Sequence, residues 1–176
     1  CGNGRNLIFL AENYGLEGIG IDVSEKAIEQ AHSRSDALPI SYHVQSIADP
    51  IPCADNSQTL VIDMMTSHFL NATERKQLIA EIGRVLRPGG WFYFKTFLRD
   101  EDRHAERLLK ESPAEEAGSY IHPRIGVAEH VFTEDEIHTL LDDEFFIHKM
   151  TKSHKHKFKG KAAKRRNISV YAQKAG

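Results

Sequence analysis

Along the first hundred residues the apolar positions switch repeatedly between helical spacing and short apolar runs, the pattern of helices exchanged with strands. Residues 5–13 read as a short helix with Leu7, Ile8, Leu10 and Ala11 inward and Gly15 as its stop. Residues 18–22, GIGID, predict a buried strand of the parallel type. Ser24 then caps a helix over 25–35, in which Ala27, Ile28 and Ala31 share one face. Pro39 interrupts the pattern, and 40–46 alternates apolar with polar as a strand. Residues 49–57 form a proline-containing loop. The run TLVIDMM at 59–65 is broken by one acid and predicts a strand buried on both faces. Asn71 and Glu74 make a capping box that opens a helix to residue 86. The turn RPGG at 87–90 stops it, and WFYFKTFL at 91–98 predicts an aromatic strand.

After residue 99 the regularity is lost. Residues 100–111 predict a charged helix, and 112–131 an irregular connector holding Pro, Gly, Tyr and His. Thr133 and Glu136 form a second capping box, opening a helix to about residue 143. Residues 145–155 and 165–174 then predict two strands joined by a basic turn, an antiparallel pair at a sheet edge. The alternation implies an α/β fold with a doubly wound, mostly parallel sheet and an antiparallel C-terminal pair. We expect a single domain over 1–176, with 99–133 as a substrate-side insertion or connector.

Composition adds limits. With 40% hydrophobic and 27% charged residues the chain reads as an ordinary globular protein, and its 176 residues suffice for a sizeable core. No apolar run approaches the length of a membrane span. The two cysteines, Cys1 and Cys53, make neither a disulfide framework nor a metal spacing, which points to a reducing, cytoplasmic setting. The formal net charge of −2 is unevenly spread: residues 149–166 hold nine Lys and Arg and no acid. That asymmetry suits an anionic partner.

Candidate chemistry begins at the first residues, CGNGRN. Gly2 and Gly4 let the backbone turn tightly and approach a ligand, and the following helix points its free N–H groups into the same space. Asp22 stands 18 residues after Gly4, at the carboxyl end of the next strand, where a carboxylate can accept from a ribose diol. The arrangement predicts a nucleoside ligand. A βαβ unit also needs a strand before its glycine loop, so we expect that first strand to lie upstream of Cys1.

Taken in this order, the chain resembles the class I S-adenosylmethionine-dependent methyltransferases of the small-molecule type. CGNGR at 1–5 is similar to the tail of the family's glycine loop, GIDVS at 20–24 to its second motif, and LRPGGWFYF at 86–94 to the turn before its fifth strand. The resemblance implies a Rossmann-like sheet and S-adenosyl-L-methionine as cofactor. By position it implies Gly2 and Gly4 under the methionine part, Asp22 on the ribose, and Val23, Ser46 and Ile47 at the adenine. It implies Asp63 and Met64 at the fourth strand's end, near the reacting methyl group. The partner it implies is a small-molecule methyl acceptor.

Methyl transfer to a positioned nucleophile needs little acid–base chemistry, so the absence of a visible triad does not argue against an enzyme. Asp63, His68, His122 and His130 are the catalytic candidates. Tyr120 and Arg124, in the stretch YIHPRIGVAEH, are the candidate substrate contacts. His154 and His156 have no acid or cysteine at ligand spacing, so no metal is expected. Three other readings stand beside this one. The basic 149–166 segment suits an RNA or other nucleic-acid methyltransferase, a less favoured partner because Phe158 is its one interleaved aromatic. The others are an NAD-dependent Rossmann oxidoreductase and a non-catalytic nucleotide-binding module.

Overall fold

A computed structural model of the chain describes residues 1–153, 157–158, 161–162 and 165–176. They divide into two compact units, residues 1–50 and 51–176.

In the first unit helix α1 (Arg5–Tyr14) precedes strand β1 (Gly18–Asp22), helix α2 (Glu25–Arg34) and strand β2 (Ile40–Val44). The left-handed Gly15 ends α1 and donates its N–H to the Ala11 carbonyl. The Ser24 hydroxyl accepts from the Ala27 N–H and starts α2. The two strands pair in parallel, Gly18 opposite Ile40 and Asp22 opposite Val44, so both end at the same edge. Ile8 and Ala11 are buried, whereas Leu7 and Leu10 are half-buried, because so small a sheet covers only part of the helix face.

The second unit opens with β3 (Gln58–Met64), a 3-10 turn (Ser67–Phe69), α3 (Ala72–Val85) and β4 (Leu86–Phe97). Helix α4 (Arg103–Glu111), strands β5 (Ser119–Ile121) and β6 (Ala128–His130), and helix α5 (Glu134–Leu141) follow. Strand β7 (Phe145–Lys152), the short β8 (Lys157–Phe158) and β9 (Lys161–Ala162), and β10 (Asn167–Lys174) complete it. The main sheet runs β3-β4-β10-β7, with β3 and β4 parallel and the other pairs antiparallel. Phe92 faces Ala172, Phe94 faces Val170 and Thr96 faces Ile168, all six buried. Both capping boxes form, at Asn71 with Glu74 and at Thr133 with Glu136.

Four expectations change. Of the apolar strand β3 only Asp63 is buried, because β3 is the edge of its sheet. The RPGG turn does not separate helix from strand. Leu86 already pairs with Gln58, and the ladder resumes at Leu60 opposite Trp91, so residues 87–90 bulge out of β4. The charged helix begins only at Arg103, where Asp102 caps it through the His104 and Ala105 N–H groups. Within the expected irregular connector, β5 and β6 pair as an antiparallel hairpin. Among the described residues no helix is long and apolar enough to cross a membrane.

Candidate functional site

In residues 1–50 the parallel β1–α2–β2 unit brings Asp22, Ser46 and Ile47 to one sheet edge. Gly4 sits at φ +75°, and a Cβ there would lie 2.5 Å from the Tyr42 hydroxyl. Asp22 ties the loop to the strand. Its Oδ2 accepts from the Gly2 N–H at 2.7 Å and the Cys1 amino group at 3.1 Å, and its Oδ1 accepts from the Ser24 N–H at 3.0 Å. Burial alone would raise its pKa, but the Ser24 and Gly2 N–H groups together with the Cys1 amino group outweigh that and hold the carboxyl below its ordinary value.

A carboxylate offers about four lone-pair sites, so Oδ1 keeps capacity for a ribose hydroxyl. Val23, 70% exposed beside it, is an apolar surface suited to the face of a base. The Ser46 hydroxyl accepts from the Ala48 N–H, and Ile47 is half-buried. A nucleoside fits these residues.

The second unit places a cavity of about 400 Å³ among Met65, His68, Phe69, Phe97, His122, Ile125, Glu129 and Arg165. Of the four catalytic candidates only His68 and His122 line it. His68 is 3% exposed, its Nδ1 lacks a hydrogen-bond partner among the described residues, and burial, then Arg165, pushes its pKa down to about 4. It is therefore a neutral imidazole at pH 7. The His122 Nδ1 accepts from the Arg124 N–H, which puts the ring proton on Nε2.

Asp63 and His130 lie elsewhere. Asp63, at the end of β3, accepts at Oδ1 from the Thr66 and Ser67 N–H groups, and burial raises its pKa. The neighbouring Met64 is half-buried. His130 is buried against Phe132 with Nδ1 2.9 Å from the Ser119 hydroxyl, and burial pushes it to about 4. The two substrate candidates also differ from expectation. Tyr120 is wholly buried, its hydroxyl accepting from Arg165 Nη1 at 2.7 Å. Burial, and after it the nearby Glu129 carboxylate, pushes that phenol up to about 12. Arg124 is exposed on the β5–β6 turn and does not line the cavity.

The guanidinium in the wall is Arg165. It lies 4.2 Å from the Phe97 ring centroid and donates from Nε to Asp102 at 3.3 Å. Arg166 pairs with Glu101 at 2.9 Å, so these two members of the basic segment are engaged within the protein. His154, His156, Lys155, Lys159 and Lys164 lie outside the described residues. The sequence points to Arg165 only as a member of the basic segment and does not single out Glu129. Glu129 is one acid between Ala128 and His130, a setting that carries no signal of its own.

The geometry has counterparts among known proteins. A family profile for a methyltransferase domain matches residues 1–90, just over half of the chain. An uncharacterized methyltransferase of Synechocystis sp. is 30% identical over 92 residues, covering 52% of this chain and 42% of that protein. A carboxy-S-adenosyl-L-methionine synthase of Nitratiruptor sp. is 30% identical over 111 residues, covering 62% of this chain and 46% of that protein. The chain thus spans less than half the length of these curated relatives. A solved SAM-dependent methyltransferase from Methanosarcina mazei superimposes with a TM-score of 0.80 at 24% identity, covering 99% of this chain and 89% of that one.

Proposed function

Because the chain belongs to the class I S-adenosylmethionine-dependent methyltransferases, a family whose cofactor is S-adenosyl-L-methionine, we propose that it methylates a small molecule. The observation that carries the small-molecule reading is the cavity of about 400 Å³. Its scale and its largely apolar wall suit a compact ligand, not a polymer.

The cofactor, when bound, supplies a methyl carbon already activated by its sulfonium, so the protein's main task is to position the nucleophile. Residues 1–50 would supply the nucleoside contacts: the Asp22 carboxylate would accept from a ribose hydroxyl, and Val23, with Ser46 and Ile47, would hold the base. Gly2 and Gly4 let the loop backbone approach the methionine part. At the end of β3, Asp63 orders the turn that follows through the Thr66 and Ser67 N–H groups, and Met64 stands beside it. The cavity of residues 51–176 receives the acceptor. Neutral His68 contributes a hydrogen-bonding imidazole without a charge, and a base is needed only where the accepting atom loses a proton.

Thermal-shift titration with S-adenosylhomocysteine, with NAD in parallel, tests the cofactor. At a hundred times its dissociation constant a ligand adds roughly 2.7 kcal/mol. A shift with NAD alone would replace this reading by an oxidoreductase. Methyl-labelled cofactor and a fractionated cell extract test the acceptor. Label in the low-mass filtrate supports the reading, and label in the RNA overturns it.

A further inference from the structure

Resting on the methyl-transfer reading, we propose that the cavity of residues 51–176 selects a neutral, largely apolar acceptor bearing an O–H or N–H donor, and that Glu129 reads that donor. Glu129 lies on β6, 2% exposed, in the cavity wall. Among the described residues its buried Oε1 has no hydrogen-bond partner of good geometry, the Tyr120 hydroxyl being the neighbour whose proton faces this carboxylate. The nearest cationic group, Arg165 Nη1, is 3.7 Å from it, and His122 Nε2 is 3.9 Å from Oε2, both beyond hydrogen-bond reach. Buried carboxylate oxygens rarely stay unpaired, because leaving one so costs stability that a ligand donor recovers.

The neighbour is matched to it. Arg165 commits Nε to Asp102 and Nη1 to the Tyr120 hydroxyl, while its buried Nη2 has no partner among the described residues. Two polar atoms of this wall, Glu129 Oε1 and Arg165 Nη2, thus lack a partner among the described residues and are shielded from solvent, in side chains that stand with Met65, Phe69, Phe97 and Ile125 around the cavity. Wholly buried Asp102 and Glu129 together outweigh the single guanidinium, and the His68 imidazole is neutral. An anionic acceptor would bring a third negative charge into this cluster. A hydroxyl, or the N–H of an amide or aniline, on an apolar body brings none, and would satisfy Glu129 Oε1 while offering Arg165 Nη2 an acceptor atom.

The test uses the full chain with three matched probes, 4-methylphenol, its methyl ether and 4-methylbenzoate, their affinities compared by ligand-observed NMR. The phenol should bind at least about tenfold more tightly than either analogue, as a hydrogen bond to a buried charged group predicts. The preference should narrow in Glu129→Gln, whose amide oxygen still accepts, and vanish in Glu129→Met. Should Glu129→Met fail to fold, the wild-type order and the narrowing in Glu129→Gln decide. Ether or benzoate binding as tightly as the phenol, no binding of any probe, or an unchanged preference in Glu129→Gln each overturns the proposal. S-adenosylhomocysteine binding is followed alongside. Its loss with the phenol preference intact sinks the methyl-transfer reading and leaves the cavity's selectivity standing; the reverse outcome sinks only the selectivity.

Discussion

The two units build their candidate sites from different material. Residues 1–50 use backbone and one half-exposed acid: Gly2 and Ser24 N–H groups converge on Asp22, with an exposed Val23 beside it. Residues 51–176 use two buried acids, Asp102 and Glu129, and the half-buried Arg165, which packs on Phe97 and Tyr120. The first arrangement suits a ligand part that never varies, because backbone donors cannot be exchanged by mutation. The second can be retuned one side chain at a time, which suits an acceptor that differs from enzyme to enzyme. It also makes the second site costly to disturb.

The largest effect expected is therefore at Arg165. Arg165→Ala removes the cation from two buried carboxylates, and breaking such a cluster costs about 3–5 kcal/mol. Trp91 is the single tryptophan and lies in the same unit, so its fluorescence in urea reports that loss. A cost below about 1 kcal/mol would place the cluster among surface ion pairs and erase the contrast between the units.

Acid should act on the same unit. His68 has a pKa of about 4 in the fold against an ordinary 6.5. The unfolded chain takes up this proton first as pH falls. The stabilisation is thus complete above pH 6.5 and drains between there and about pH 4, by up to about 3 kcal/mol. His68→Phe keeps a ring against Phe69 and Phe97 but cannot titrate, so its stability should fall less over that window. Parallel acid profiles of the two proteins would refute the assignment.

The same contrast explains what the sequence revealed. Gly4, Asp22 and Ser24 act over short separations inside one β–α–β unit, and caps such as Asn71 with Glu74 act within four residues, so spacing alone discloses them. Arg165 meets Asp102 across 63 positions and Tyr120 across 45, and no local pattern records either meeting. The hairpin that carries Glu129 has strands of three residues each, too short to display alternation. Tyr120 and Arg124 drew notice as function-like side chains. Yet the fold buries the first, and on the exposed turn the second donates its backbone N–H to His122. The bulge at 87–90 was visible as a turn, but only the register against β3 makes it part of a strand.

A smaller and separable effect is expected at Asp22. Asp22→Ala removes the proposed ribose acceptor and should weaken S-adenosylhomocysteine about tenfold to a hundredfold, the worth of a hydrogen bond to a charged group. Calorimetric titration measures it. Trp91-reported unfolding and the phenol preference should not change. A shift in either would mean that the two sites share more than the present contrast allows.

The smallest effect is a pair of glycine substitutions that sharpens the account of the first unit. Gly2 and Gly4 both have positive φ, +58° and +75°. An alanine at either pays the left-handed backbone cost of roughly 1–2 kcal/mol. At Gly2 the new Cβ meets nothing within 4 Å, whereas at Gly4 it lies 2.5 Å from the Tyr42 hydroxyl and 3.2 Å from the Ala31 Cβ. That hydroxyl is itself held 3.0 Å from Ser35 Oγ, so it cannot retreat without giving up a partner. Gly4→Ala should therefore destabilise residues 1–50 more than Gly2→Ala, by about a further 1 kcal/mol for the collision. Hydrogen exchange of the β1 and β2 amides reads the difference directly. Equal effects at the two glycines would mean that the loop moves as a body, and that its backbone conformation rather than its packing on Tyr42 fixes the approach to the ligand.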